Sequence, residues 1–372
     1  MIGPIVQLLR ERWGDLRPGH PEPTDATIVV GANKVPDGKV CVVLFDANHE
    51  PAVVVKVART AVGEAALRRE FGVLQQFRGI GCSYVTDYAP EPLLLEEVNR
   101  RLILVLSHRP GRPMLTQYHT PGHTSDAERV AGDFAAAGDW LQAFHRQTLS
   151  GAEQLDAESF EYRVTAVFDR YRRSVGWSQE EEDLSVAVAG RAAQLRGCPI
   201  PITGVHGDFW MGNLLTENTR LTGVLDWELG LADGIPLSDL YKFPTSYGFY
   251  LDRAHSGSSD IPGHPERLSH LTRWLRFGRW PNLVGFGYTY FGQGWFPEVA
   301  RRFVVSHMAA LGVPTAANAV FFPVFLAEQA MTLDVPEFRQ GYRSLLRALA
   351  SERERTWLWS DGSDHVGVSN GR

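Results

Sequence analysis

The amino-acid sequence predicts an α+β chain of two lobes, a small one built on an antiparallel β-sheet with one main helix and a larger one that is mostly helical. Three observations carry this. Short runs of β-branched residues crowd the first hundred or so positions, the Pro/Gly cluster Arg109-Pro110-Gly111-Arg112-Pro113 follows them, and beyond it apolar residues recur at helical spacing. With 372 residues against the ~150 of a typical domain, two or three packing units, or one large domain of two lobes, are expected.

Taken in order, residues 4–13 (PIVQLLRERW) read as a short amphipathic helix, followed by a Pro/Gly-rich link at 17–23. Strands are expected at 26–30, 40–45 and 52–57. Between the first two, Pro36-Asp37-Gly38 supplies a preset φ, a side-chain acceptor and a residue tolerant of positive φ, the chemistry of a hairpin turn. A helix at 63–77 follows, with Leu67, Phe71, Leu74 and Phe77 at helical spacing, and strands at 92–95 and 102–106 complete the small lobe. Helices are then expected at 126–147, 157–174 and 180–196, a β segment at 202–205 and 221–225, and helices again to the end. Residues 303–327 lack formal charge but contain Gly312, Pro314, Asn318 and Pro323, so they read as two buried helical segments broken at 312–314 and not as a membrane span. The division expected is a first lobe at 1–106, a hinge at 107–111, a second lobe at 112–360 and a flexible tail at 361–372.

Composition excludes several classes. Forty-four per cent of residues are apolar and 22% charged, which rules out disordered and collagen-like chains. The net charge of −6 argues against a partner such as nucleic acid or an anionic membrane, which call for a basic face. Cys41, Cys82 and Cys198 are odd in number, far apart and in no C-x-x-C spacing, so neither a disulfide framework nor a zinc site is supported and a cytoplasmic location is expected. Arg10, Glu11 and Arg12 interrupt the N-terminal segment too soon for a signal peptide.

The most informative segment is Val205-His206-Gly207-Asp208-Phe209-Trp210-Met211-Gly212-Asn213-Leu214-Leu215, followed by Gly223-Val224-Leu225-Asp226-Trp227-Glu228. An Asp and an Asn five positions apart in a loop between short strands, with a second Asp ending the next strand, bring three oxygen-bearing side chains to one strand-end edge. Such a set suits phosphoryl transfer: one carboxylate orients a hydroxyl nucleophile, while an amide and another carboxylate hold Mg²⁺, a cation that takes oxygen ligands. The alternative is an ordinary loop with Asx turns.

In HGDFWMGN and VLDWE, with GLADGIPLSDL and LQAFH as supports, the sequence resembles the aminoglycoside phosphotransferase and choline kinase family, relatives of the protein kinases. The resemblance implies a bilobal protein kinase-like fold, with a nucleotide-binding first lobe and a catalytic, acceptor-binding second lobe. It implies Asp208 as catalytic base, Asn213 and Asp226 as Mg²⁺ ligands, and ATP as donor. Gly207 stands where protein kinases carry an Arg that reads a phosphorylated activation loop, so control by loop phosphorylation lacks its guanidinium.

Lys56 interrupts the apolar run VVVKVA, and its compact ammonium suits the donor's α/β-phosphates; an edge-strand charge against aggregation is the alternative. Glu70 lies near the apolar stripe of the following helix, where a carboxylate needs a partner, and Lys56 supplies one. An exposed Glu is the other option. No G-x-G-x-x-G stands between the first two strands, so Gly31 and Lys34 are the candidates for contact with phosphate, beside a plain hairpin. By resemblance, main-chain groups of Leu106, Ser107, His108 and Arg109 hold the adenine. His206 is expected to hold loop backbone, Asp239 to anchor the loop from a helix, Trp210 and Trp227 to pack around the site, and His145 to be a satisfied buried histidine. Nine aromatics within 274–296 read as core packing, with ring stacking on a sugar as the alternative.

The expected function is Mg²⁺-dependent transfer of the γ-phosphoryl of ATP to a hydroxyl of a small partner: a sugar, amino sugar, glycoside or aminoglycoside-like molecule. A pseudokinase or nucleotide-binding regulatory module, and a protein kinase, are the alternatives. From Tyr241 onward there are 14 basic and 11 acidic residues; since in the family it resembles the late helical segments help form the acceptor cleft, the resemblance implies a neutral or anionic hydroxylated acceptor, such as a sugar or glycoside.

Overall fold

The computed structural model describes residues 2–29, 39–251, 263–264, 284–332 and 336–359. They fall into two compact units, the first made of Met1–Met114, His206–Asp208 and Gly212–Ala232, the second of Leu115–Val205, Phe209–Met211 and Asp233–Arg372. Sequence reasoning assigns 112–360 to the second lobe; the strands Leu214–Glu217 and Arg220–Val224 fall in the first unit. They pair antiparallel, and the short strand Arg112–Pro113 pairs with Leu214–Glu217, which ties this hairpin to the chain just past the hinge.

The first unit is built on helix α1 (Ile2–Leu16), strands β1 (Asp25–Val29), β2 (Val40–Phe45) and β3 (Pro51–Val57), helix α2 (Ala61–Gly79), and strands β4 (Pro92–Val98) and β5 (Arg101–Ser107). The strands form one antiparallel sheet in the order β1-β2-β3-β5-β4. Strand alternation gives this sheet two different faces. Val42, Leu44, Val53, Val55, Val57, Ile103 and Val105 point one way and pack on Ile5, Leu9 and Trp13 of α1, spaced four apart on one helical stripe. Burying Leu9 alone contributes about 2 kcal/mol. The register sets Lys56 opposite both Cys41 and Leu104, so these three share the other face.

Helix α2 starts where the Thr60 hydroxyl accepts from the Gly63 N–H at 3.3 Å. Its buried stripe is Leu67, Glu70, Leu74 and Phe77. Phe71, expected on that stripe, is only half-buried, and the carboxylate takes the inward place. Gly31, Lys34 and the turn at 36–38 lie outside the described residues, as does the tail at 361–372.

In the second unit the Asp126 side chain caps Ala127–Gln147, and Ser178 with Glu181 forms a reciprocal capping box on Gln179–Gln194. The helix expected at 157–174 is Ala157–Phe160 and Ala166–Val175 joined by a π-helical turn, Glu161–Thr165. Trp295–Ala310 and Thr315–Thr332 meet at 116°, in line with the expected break, and no single helix among the described residues is long and apolar enough to cross a membrane. Phe286, Tyr288, Tyr290, Phe291 and Phe296 are buried in the core while Trp295 is half-buried; Trp274, Phe277 and Trp280 lie outside the described residues. His145 corrects one expectation. It is fully buried, yet neither ring nitrogen has a hydrogen-bond partner among the described residues, and an Asp239 carboxylate oxygen is 3.9 Å away.

Candidate active site

Lys56 is the centre of charge in the first unit. Only 7% exposed, it donates to Glu70 Oε1 at 2.6 Å and Oε2 at 2.8 Å, and to Asp226 Oδ1. Burial by itself would depress the ammonium's pKa; the Asp226 and Glu70 carboxylates outweigh that and hold it above the ordinary lysine value. In return Lys56, followed by Lys39, keeps the Asp226 carboxyl well below the usual carboxylate range. One cation thus ties strand β3, helix α2 and the end of Arg220–Val224 together.

The segment after Val205 is shaped by backbone chemistry. Gly207 has φ +83°, and a Cβ there would lie 2.2 Å from the Leu229 carbonyl oxygen, so the position admits no larger residue without displacing that loop. His206 Nδ1 accepts from the Asp208 N–H at 3.2 Å while Nε2 lies 2.8 Å from the Leu225 carbonyl oxygen. A carbonyl can only accept, so Nε2 carries the proton and the ring is the neutral tautomer that joins the Asp208 loop to the strand end before Asp226. With both nitrogens engaged, His206 is a support of the loop and not a base.

Asn213 is buried, and its Nδ2 donates to the Asp208 carbonyl at 3.0 Å and to Asp208 Oδ2 at 3.1 Å. Those bonds fix the amide, so its Oδ1, which has no hydrogen-bond partner among the described residues, is the atom left for another ligand. The Leu225 N–H donates to the Asn213 carbonyl at 2.8 Å, which sets Asn213 beside the residue that precedes Asp226. Asp226 is in the left-handed region (φ 61°, ψ 66°), a conformation costly for a residue with a Cβ, and its side chain is 44% exposed. Two hard oxygen ligands held by separate elements fit Mg²⁺, which keeps waters and phosphate oxygens for its remaining positions. Among the described residues no group of three or more His, Cys, Asp or Glu is placed to hold a metal, so a cage built wholly of such side chains is not what this site offers.

At the hinge, Leu106 and Ser107 are buried at the end of β5. The Ser107 N–H donates to Glu91 O at 2.9 Å and its Oγ accepts from the Glu91 N–H at 2.8 Å, so this residue's donor is already used. His108 makes no hydrogen bond to another described residue, and burial pushes its pKa down. Arg109 binds the Ala89 and Thr86 carbonyls at 2.7 and 2.6 Å and thereby fixes the hinge to the preceding segment.

Sequence reasoning misses an ion pair. Lys39, at the entry to β2, pairs with Glu228, two residues past Asp226, and Arg69 Nε donates to the Glu228 carbonyl at 3.3 Å. The available signal is a Lys directly after the Gly38 turn and a Glu closing VLDWE; 189 residues separate them.

The model of the phosphotransferase enzyme family matches residues 42–253, more than half of the chain. No curated protein matches it by sequence. Among solved structures, the chain is similar to a protein of Ralstonia eutropha JMP134 provisionally called an aminoglycoside phosphotransferase, with 14% identity, a TM-score of 0.54, and 96% of this chain and 99% of that one covered. It is similar also to a thermostable mutant of the aminoglycoside phosphotransferase APH(4)-Ia, in the apo form (15% identity, TM-score 0.53, covering 94% and 98%). A ternary complex of such a mutant with ADP and hygromycin B gives 14% identity and a TM-score of 0.53, covering 97% and 99%. At these identities the likeness is one of fold, the α+β kinase-like fold of those enzymes.

Proposed function

The chain belongs to the phosphotransferase enzyme family, and on that premise we propose that it moves the γ-phosphoryl of ATP to a hydroxyl of a small molecule, with Mg²⁺ as cofactor. The observation that carries this is the Lys56 ammonium held between the Glu70 and Asp226 carboxylates. Glu70 fixes the ammonium, and Lys56 would meet the α/β-phosphates of the donor. His108, whose main-chain N–H and C=O have no described partner, takes the adenine edge, with Leu106 and Ser107 as the adjoining wall. Gly31 and Lys34 belong to this reading on sequence grounds alone.

Asn213 Oδ1 and Asp226 would hold Mg²⁺, whose charge would offset that of the donor's phosphates. Asp208 accepts a hydrogen bond from the acceptor's hydroxyl and takes its proton as the oxygen attacks the γ-phosphorus in line; the P–O bond to ADP breaks as the new one forms. Asn213 Nδ2, donating to Asp208 Oδ2, keeps that carboxylate turned for the task. Gly207 favours a small acceptor over a protein one: at φ +83° and 2.2 Å from Leu229 O there is no room for an arginine that reads a phosphorylated loop. A cytoplasmic setting fits the three free thiols, Cys41, Cys82 and Cys198.

The test is an ADP-release assay with Mg²⁺–ATP over sugars, amino sugars, choline and aminoglycosides. Acceptor-dependent ADP release, matched by an equal amount of phosphorylated acceptor and abolished by EDTA, is expected for one class. ADP release that no acceptor raises above the basal rate contradicts the reading.

A further inference from the structure

Phe209 and Trp210 are neighbours directly after Asp208, and the structure treats them differently. Phe209 is fully buried, stacked on Trp140 at 5.5 Å and 11° and packed against Phe243 at 5.9 Å. The packing role in this loop is therefore already filled. Trp210 is half-buried and stacks on Tyr250 near the end of Leu237–Leu251, with centroids 5.9 Å apart and planes at 17°. Tyr250 is itself braced edge-on by Tyr118 at 6.3 Å and by the exposed His119 at 6.2 Å. Tyr250 is Trp210's only ring partner among the described residues. Its indole N–H has no protein acceptor among them either, whereas Trp13, Trp177, Trp227, Trp295 and Trp357 each donate to one. A ring fixed on one side, partly open and carrying an unspent donor is built to meet a ligand with both an apolar face and hydroxyls.

Charge narrows the ligand. Asp133, the carboxylate hydrogen-bonded to this cluster through Tyr247, accepts from His123 at 2.7 Å and Tyr247 at 2.8 Å, both at Oδ2, and is only 4% exposed, so it is turned to protein partners and not presented to a ligand's ammonium group. Desolvated ammonium groups need such partners. We propose that Trp210, backed by Tyr250, is the platform on which the acceptor lies, and that this acceptor is a neutral hydroxylated ring, a sugar or glycoside, and not a polycation. This rests on the phosphotransfer reading above. Trp210 is two residues from Asp208 in the sequence, at most about 7 Å of extended chain.

The probes are methyl β-glucopyranoside, methyl β-galactopyranoside, choline and kanamycin A, followed by saturation-transfer NMR on the full chain with AMP-PNP and Mg²⁺. Saturation of glycoside ring protons is expected, falling about fivefold or more in Trp210→Ala and Tyr250→Leu and staying within about twofold in Trp210→Phe, which keeps the stacking face. Saturation confined to kanamycin or choline, saturation of no probe, or an undiminished glycoside signal in a folded Trp210→Ala protein would overturn the proposal. ADP release with kanamycin alone would remove the platform and leave phosphotransfer standing. Glycoside binding that needs Trp210, without ADP release from any acceptor, would do the reverse.

Discussion

Lys56 keeps its proton in a place where burial alone would remove it, because two carboxylates surround it. The cost of desolvating a charge is offset by short contacts to opposite charges, and losing either partner leaves the ammonium uncompensated. Lys56 and Glu70 are legible in the sequence for this reason: a charge within an apolar strand and a carboxylate beside a helical stripe both demand partners. The Lys39–Glu228 pair is not, since neither residue interrupts an apolar run and periodicity does not link residues so far apart. Asn213 and Asp226 are legible only as a spacing; the bonds that turn Asn213 Oδ1 outward are a product of folding. Each should matter through the metal. Asn213→Ala and Asp226→Ala are expected to raise the Mg²⁺ concentration for half-maximal activity by about tenfold or more, since each removes one hard oxygen ligand. A magnesium titration of the ADP-release rate checks this, and an unchanged requirement in both variants would contradict the assignment.

Among elements, β2 is read to its ends and β3 to within one residue, 52–57 expected against Pro51–Val57 observed, because β-branched runs are bounded by turn chemistry on both sides. Helix α1 is read as amphipathic, but what its stripe covers emerges only from the sheet, whose valine-rich face would otherwise meet water. The strand Leu214–Glu217 escapes sequence reasoning: four residues are too few to show alternation, and they follow directly on the HGDFWMGN loop. That loop depends on one backbone position. Gly207→Ala would place a Cβ on the Leu229 carbonyl and force a left-handed φ on a residue that resists it. A loss of about 2 kcal/mol or more is expected, together with lower kcat because His206 and Asp208 flank the site. Scanning calorimetry and steady-state rates measure both. An unchanged Tm with full activity would show that the loop yields freely at this point.

For the whole molecule, the change from β-rich to helical segments near residue 110 is visible in sequence because period-two and period-3.6 patterns differ. The motif order carries the family, which the match over residues 42–253 establishes. The placement of the Leu214–Val224 hairpin with the first unit is not visible, because it depends on pairing with Arg112–Pro113, about a hundred residues earlier in the chain. The site depends on that placement, since it puts Asp226 within reach of Lys56 and Asn213 beside Asp208. The proposed function has Asp208, bonded to His206 and Asn213, take the acceptor's proton without contributing to nucleotide binding. The most direct measurement is acceptor-dependent ADP release by Asp208→Asn, taken together with the thermal shift caused by Mg²⁺–ATP. The account predicts a rate lower by about 10²-fold or more with the nucleotide shift retained. A rate within about threefold of the parent's, in a variant that still binds nucleotide, would contradict it.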